Sequence, residues 1–369
     1  MPTYPKSARP DTRMPNQVNA KRAHGDALHK LLALAVSTMV VLALLGVGEF
    51  YCRRFMTVHF LDNSRSLFVA NRFGNSPGNL TGGKAVSFGV QVYTDENGFR
   101  IDPQFRDPRS DRAILFMGDS VGFACGVEEQ QSAVGRLRRS LTDVRLYNSS
   151  SIGYDLKNYK DIVDYWLPKH KNVKAAYVLM CLNDIYDQSA IEIRKNLGQA
   201  PDAQVPKNLV GLAKRFSFLQ SLNDWMRSRS KLFMVAKSIL SDTSMRYFAY
   251  DLEMYKHSEA YFVANMDTLR QIHERLHKDG IAFKVIVMPY EVQLRSKDAA
   301  VLLPQAMITR YLREHDIPFV DTTEIFRNTG MRSKDLYLFD DAMHFSPAGH
   351  RVLADILMND IRVTTARHP

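Results

Sequence analysis

The chain has 369 residues, of which 45% are hydrophobic and 24% are charged. This composition is typical of a globular protein and excludes a mostly disordered, collagen-like or coiled-coil chain. Three scattered cysteines exclude a disulfide scaffold and a zinc-finger spacing. The formal net charge is +10, but the first 30 residues alone hold six basic residues against two acidic ones, so this short tail carries +4 of it.

An uncharged apolar run, Leu31–Gly48, follows this basic tail. As a helix it would be about 27 Å long, close to the hydrocarbon thickness of a bilayer. It lacks the polar stripe of a helix that packs on a protein core. We therefore predict a transmembrane anchor at 31–48. A cleaved signal peptide is the alternative, although the residues after the run offer no A-x-A-like cleavage site.

The excess of Lys and Arg before the run predicts the orientation of this anchor. By the positive-inside rule, residues 1–30 form a basic cytoplasmic tail, and everything after about residue 55 lies outside the cytoplasm. The protein would then be a single-pass protein of the inner (cytoplasmic) membrane, and its larger part would be periplasmic in a Gram-negative source. On this topology, the membrane is a partner through Leu31–Gly48 and nucleic acid is not a partner.

Residues 49–112 form a juxtamembrane segment of mixed character. The turn sequence Asp95-Glu96-Asn97-Gly98 lies between the strand-like stretches at 90–93 and 99–101. This pattern predicts a β-hairpin.

From residue 113 onward, short apolar runs alternate with helical patterns. The runs are Ala113–Met117, Leu146–Tyr147, Ala175–Met180, Val285–Met288 and Phe319–Val320. Uninterrupted runs of this length predict parallel strands that are covered on both faces. Apolar stripes at helical spacing lie between them, around Tyr159, Leu269 and Ile308. We therefore predict an α/β domain over 113–369, with a parallel sheet and right-handed crossovers.

A basic and aromatic stretch at about 190–262 interrupts this alternation. We predict a helical insertion whose charges form a solvated face. A cap over an active site and a surface that rests on anionic lipid are the alternatives.

Polar residues follow the predicted strands, where ligands of open α/β sheets bind. They are Gly118-Asp119-Ser120, then the stretch from Asn148 to Gly153, then Cys181-Leu182-Asn183-Asp184, and finally Asp341 to His344 near the C-terminus.

These residues are the components of a serine acyl-transfer site. A serine hydroxyl needs a base to take its proton, a histidine can do so, and a carboxylate on the other ring nitrogen orients that histidine. The tetrahedral oxyanion needs N–H donors that already point at it. We predict a catalytic triad of Ser120, His344 and Asp341. The predicted oxyanion donors are the backbone N–H groups of Ser120 and Gly153 and the side-chain amide of Asn183.

At these positions the sequence resembles the SGNH, or GDSL-type, hydrolase family. The resemblance covers about residues 112–362, and it includes Phe116-Met117-Gly118-Asp119-Ser120 and Pro347-Ala348-Gly349-His350. Asn97-Gly98-Phe99-Arg100 resembles the hairpin of a membrane-anchored bacterial subgroup. The resemblance implies a three-layer α/β/α sandwich of flavodoxin-like type, with no metal and no cofactor. Cys181 and Ser150 stand where the family usually has glycine, and we expect them to narrow the pocket.

Cys125 and Cys181 both lie near the predicted site residues. Two small buried thiols are the prediction here. A disulfide between them, formed in an oxidising compartment, is the alternative.

The expected function is that of a membrane-anchored serine esterase, which acts on ester groups, above all O-acetyl groups, of extracytoplasmic glycans or lipids. The same triad would serve an O-acetyltransferase of exopolysaccharide or another envelope glycan, working with polysaccharide assembly machinery. A third hypothesis is a non-catalytic glycan-binding or scaffold subunit. The residue pattern alone does not separate these three.

Overall fold

The computed structural model describes residues 15–56, 58, 67–105, 108, 110–185, 222–223, 225–257 and 259–367. The chain divides into two compact units, residues 1–56 and residues 57–369. The segment from residue 57 to 112 therefore belongs to the same unit as the predicted α/β domain.

The described part of the first unit contains one helix, α1 (Pro15–Phe55). It begins well before the predicted anchor, so part of the basic tail is helical. Its portion His29–Phe55 has 27 residues, and within it an 18-residue window has a mean hydropathy of 2.5 and contains no buried residue. A helix that is apolar all round and packs on no protein core is typical of a membrane span, and a signal sequence has the same properties.

The second unit contains a five-stranded sheet. Its strands are β6 (Ala113–Gly118), β7 (Arg145–Asn148), β8 (Val173–Met180), β9 (Ala282–Val287) and β10 (Phe319–Asp321). Their order is β10-β9-β8-β6-β7, and every neighbouring pair is parallel. The five apolar runs are thus confirmed as strands of one parallel sheet. The order reverses direction at β6, which is the switch point where open α/β sheets bind ligands.

Helices connect and cover these strands. Those described in the second unit are α2 (Ser120–Phe123), α3 (Ala133–Ser140), α4 (Leu156–Tyr165), α5 (Lys231–Leu240), α6 (Thr243–His257), α7 (Glu259–Lys278), α8 (Glu291–Arg295), α9 (Leu303–Glu314), α10 (Thr323–Arg327), α11 (Ser333–Leu336) and α12 (Pro347–Arg367). Helix α3 packs with α12, and α4 packs with α7. The connection through α3 steps from β6 to β7, whereas the connection through α4 steps back in the other direction, from β7 past β6 to β8. Because the strands are parallel, right-handed crossovers place the two helix pairs on opposite faces of the sheet. The result is the predicted three-layer sandwich.

The predicted insertion at 190–262 lies partly outside the described residues, since residues 186–221 are not among them. The described remainder contains α5 and α6. Helix α7 runs across the predicted end of the insertion into the stripe that contains Leu269, which is fully buried.

Five short strands precede the parallel sheet. β1 (Phe68–Phe73) pairs with β2 (Ser76–Asn79), while β3 (Lys84–Ser87), β4 (Val90–Thr94) and β5 (Arg100–Ile101) form an antiparallel sheet. The predicted hairpin is confirmed, with Tyr93 opposite Ile101. Asp95 closes it by accepting hydrogen bonds from the backbone N–H groups of Asn97 and Phe99, both at 2.8 Å.

The side chain of Arg100 joins this hairpin to the sandwich. It is fully buried, and its Nε lies 2.9 Å from Glu129 Oε2, while Arg138 Nη1 lies 2.5 Å from Glu129 Oε1. The Arg100 guanidinium also donates hydrogen bonds to the carbonyl oxygens of Phe123 and of Ala124, the latter at 2.7 Å. These carbonyls end α2 and have no partner within that helix, so Arg100 satisfies them from the hairpin side.

Candidate active site

Ser120 lies at the first position of α2, directly after β6. Asp119 caps this helix, since its Oδ1 accepts a hydrogen bond from Val121 N at 2.8 Å. Ala124 ends the helix in the left-handed conformation with φ 63°. This tight strand-to-helix turn places the serine hydroxyl at the carboxyl edge of the sheet.

His344 and Asp341 lie in the loop before α12. Asp341 Oδ1 accepts hydrogen bonds from Met343 N at 2.9 Å and from His344 N at 2.8 Å, which fixes the loop. Asp341 Oδ2 lies 2.8 Å from His344 Nδ1, and His344 Nε2 lies 2.9 Å from Ser120 Oγ. The structure thus brings together the three predicted triad side chains, although 224 positions separate the serine from the histidine.

The electrostatics of the His344–Asp341 pair suit a base and its orienting carboxylate. Burial alone would lower the pKa of His344, but the facing Asp341 carboxylate raises that pKa above its usual value. Burial alone would raise the pKa of Asp341, but His344 and the backbone N–H groups hold it below its usual range. An ionised Asp341 accepts the Nδ1 proton, so the Nε2 lone pair of a neutral His344 faces Ser120.

The predicted oxyanion donors lie at the same edge of the sheet. Gly153 has φ +78°, which disfavours any side chain, and a Cβ there would meet nothing within 4 Å. Its backbone N–H has no acceptor among the described residues. Ser151 N donates to Gly118 O at 3.1 Å, and this bond ties the turn that contains Gly153 to the end of β6.

The side chain of Asn183 is held by a second, buried carboxylate. Asn183 lies in the 3-10 helix Leu182–Ile185 after β8, and its Nδ2 lies 3.3 Å from Asp119 Oδ2. Asp119 is fully buried, and burial raises the pKa of its carboxyl. One amide hydrogen of Asn183 faces this carboxylate, and the other remains for an oxyanion.

No protein-family model matches the chain, and no curated protein matches it. Among solved structures, it is similar to LAE5, an alpha/beta hydrolase enzyme from the metagenome of Lake Arreo in Spain, at 15% identity over 67% of this chain and 94% of that chain, with a TM-score of 0.40. It is also similar to Axe2, an acetylxylan esterase from Geobacillus stearothermophilus, at 15% identity over 69% and 96% of the two chains, with a TM-score of 0.40.

A third similar structure is a member of the lipolytic protein G-D-S-L family from Veillonella parvula, at 14% identity over 67% of this chain and 97% of that chain, with a TM-score of 0.36. All three likenesses are remote. The fold of the present chain is therefore assigned from its own sheet order and strand directions.

The cysteines near the site are free and buried. Burial raises the pKa of the Cys125 thiol to about 12, and it also raises that of Cys181 well above the usual value. Both therefore remain protonated and unreactive, which agrees with the prediction of two small buried thiols and not with a disulfide.

The side chains of Cys181 and Ser150, which were expected to narrow the pocket, are both buried and present almost no surface. The hydroxyl of Ser150 packs against the end of β6 and against α2. A Cβ added at Gly118 or Gly122 would lie 3.0 Å or 2.6 Å from Ser150 Oγ. His350 is buried and packs against Phe345.

Two site residues escaped the sequence analysis. Phe88 packs edge-on against His344, with 5.1 Å between ring centroids, although it lies in the turn between β3 and β4. The φ angles of Phe88 (47°) and Gly89 (76°) are typical of a two-residue hairpin turn. Asn or Gly usually occupies such positions, so a Phe there is unusual. Tyr290 contacts Asn183, and it follows β9 as the other site residues follow their strands. Examining the residues that follow β9 in the sequence would have identified Tyr290 as a candidate.

Within the described residues, no group of three or more His, Cys, Asp or Glu side chains is arranged to hold a metal ion.

Proposed function

We propose that the protein is a membrane-anchored serine esterase similar to SGNH hydrolases. Its substrates would be acyl esters, above all O-acetyl groups, on glycans or lipids outside the cytoplasm. The observation that supports this proposal is the continuous hydrogen-bond relay from Ser120 Oγ through His344 to Asp341, with contacts of 2.9 Å and 2.8 Å. The location follows from α1 as an uncleaved anchor with its basic end in the cytoplasm.

The proposed reaction has two halves. His344 Nε2 takes the proton of Ser120 as Oγ bonds to the ester carbonyl carbon, and the N–H groups of Gly153 and Asn183 stabilise the resulting oxyanion. The bond to the leaving oxygen then breaks, and His344 returns the proton to the departing alcohol. In the second half, water or a sugar hydroxyl gives its proton to His344 and takes the acyl group from Ser120. Water as acceptor makes the protein an esterase, whereas a sugar hydroxyl makes it a transferase.

The pH dependence should show the raised pKa of His344. Only neutral His344 can accept the serine proton, so kcat/KM should rise with pH and reach half its maximum above about 6.5, the ordinary histidine value. In Asp341→Asn the charge that raises this pKa is absent. We therefore expect the half-maximum to move to lower pH and the maximum to fall by about three to four orders of magnitude.

Asp164→Asn is the matched control, because Asp164 pairs with Lys160 on α4, 2.5 Å away, and contacts none of the site residues. Its pH profile should match that of the unaltered protein. The role of His344 as the base would be contradicted if the unaltered protein reached half-maximal kcat/KM below pH 6.5 and Asp341→Asn did not change that pH.

A direct test uses the full-length protein in detergent. It would be incubated with a fluorophosphonate probe and with p-nitrophenyl acetate, butyrate and octanoate, with and without soluble cello- and chito-oligosaccharides. We expect the probe on Ser120, fastest release from the acetate, and no acceleration by the sugars. Acceleration with acetyl transfer to a sugar would identify an O-acetyltransferase instead. A folded protein that neither reacts with the probe nor releases nitrophenol would favour the non-catalytic scaffold.

A further inference from the structure

The orientation of the Asn183 amide depends on partners at both of its ends. Its Nδ2 lies 3.3 Å from Asp119 Oδ2, and its Oδ1 lies 3.3 Å from the hydroxyl oxygen of Tyr290. Asn183 Nδ2 donates toward the Asp119 carboxyl group, and the single hydroxyl hydrogen of Tyr290 is shared between Asp251 Oδ2 at 2.6 Å and Asn183 Oδ1 at 3.3 Å. The two contacts together select the rotamer in which the amide nitrogen lies on the Asp119 side, next to Ser120.

Tyr290 is itself held rigidly. It is fully buried, and its backbone N–H donates to Gln293 Oε1 at 2.8 Å where it caps α8. Its hydroxyl oxygen lies 2.6 Å from Asp251 Oδ2, and its ring packs edge-on against Phe248, with 6.2 Å between centroids. Phe248 and Asp251 are three positions apart on α6, so they share one face of that helix.

Packing alone does not explain why the Tyr290 hydroxyl and the Asp251 carboxylate are buried next to each other. Asp251 is 2% exposed and Tyr290 is not exposed at all, so both polar groups are removed from water. Burying such groups is unfavourable unless they are hydrogen-bonded, and an apolar pair would fill the same space without that requirement. The hydroxyl also lies 3.8 Å from Met343 Sδ, in the residue before His344. The buried pair therefore lies between the oxyanion amide and the loop of the predicted base.

We propose that Tyr290, held by Asp251 of α6, is a positioning residue that directs the Asn183 amide toward the oxyanion. This inference rests on the esterase function proposed above. It also assigns a role to the described part of the predicted insertion, because α6 supplies Asp251 and Phe248 to the support of the oxyanion site. In this role the Tyr290 hydroxyl acts only through Asn183 and does not touch the substrate.

A double-mutant cycle tests this dependence with p-nitrophenyl acetate as substrate and the full-length protein. Tyr290→Phe should lower kcat by about 10- to 100-fold, since a misdirected donor loses transition-state stabilisation, while KM stays within about twofold. In the Asn183→Ala background, the same change should have almost no further effect on kcat, because the group that it positions is absent. Equal losses of kcat in the two backgrounds would overturn the proposal.

Two further variants keep the test decisive if Tyr290→Phe unfolds. Asp251→Asn retains an acceptor for the hydroxyl, so we expect a smaller loss of kcat that also disappears in the Asn183→Ala background. Tyr177→Phe is the matched control, because the Tyr177 hydroxyl likewise donates to a carboxylate, Asp360 Oδ2 at 2.8 Å, on α12. It should leave kcat unchanged, and a loss equal to that of Tyr290→Phe would contradict a specific role.

The outcomes distinguish this inference from the function on which it rests. If the unaltered protein turns over p-nitrophenyl acetate but the cycle is additive, only the positioning role of Tyr290 is refuted. If the unaltered protein is folded and has no turnover, the esterase function fails first, and the inference fails with it.

Discussion

Replacing Ser120 by alanine is expected to lower kcat for p-nitrophenyl acetate by about four to six orders of magnitude. The reason is geometric: Ser120 Oγ is the atom that lies 2.9 Å from His344 Nε2. Without this oxygen no acyl-enzyme can form, and only the oxyanion donors remain to assist attack by water. Active-site labelling by the fluorophosphonate probe should disappear at the same time.

The effects of substituting the triad residues on kcat should not be additive. His344→Ala in the Ser120→Ala background is expected to cause almost no additional loss, because neither residue functions without the other. Ser140→Ala is the control, since Ser140 is an exposed serine at the end of α3 whose hydroxyl bonds to Arg136 O at 3.2 Å. A Ser120→Ala protein that keeps wild-type turnover would place the chemistry elsewhere.

The second large effect concerns the oxyanion. Asn183→Ala should lower kcat by about a hundredfold to a thousandfold, the usual consequence of removing one preorganised donor. KM should change little, because the donor serves charge that develops only in the transition state. The measurement is steady-state kinetics of the folded variant, with thermal unfolding to confirm the fold.

Asn265→Ala gives the matched control for this substitution. Its amide donates to Tyr261 O at 2.9 Å within α7 and contacts no site residue. If Asn183→Ala kept the wild-type kcat, Asn183 would not be an oxyanion donor, and Gly153 and Ser120 would remain as the donors.

Local pattern was sufficient to predict the sheet and the triad. Buried parallel strands require continuous apolar runs, so Ala113–Met117 and Ala175–Met180 were recognisable without knowledge of their neighbours. Strand ends of one sheet meet at one edge, which was enough to group Ser120 with Gly153 and Asn183. His344 and Asp341 were placed with them because they lie in the closing loop before the last helix. The helical start of α1 within the basic tail was not predictable from charge.

The sequence patterns could not predict which individual side chains of distant elements contact each other. Phe88 reaches His344 from a hairpin turn, in a backbone conformation that its residue type does not favour. Asp251 and Tyr290 meet only because α6 packs against α8. No periodicity or motif in either segment encodes such a meeting, since it depends on the final packing of the helices.

The buried Arg100 has a practical consequence for anyone who shortens this chain. Its guanidinium satisfies the carbonyls that end the serine-bearing helix and neutralises Glu129, yet it belongs to the hairpin before the sandwich. A fragment that started at residue 113 would lose this cation, so the buried Phe123 carbonyl would lose its Arg100 donor and Glu129 would keep Arg138 as its cationic partner. The shortest fragment that folds on its own is therefore expected to include β4 and β5, and the hairpin and the sandwich should denature as one cooperative body.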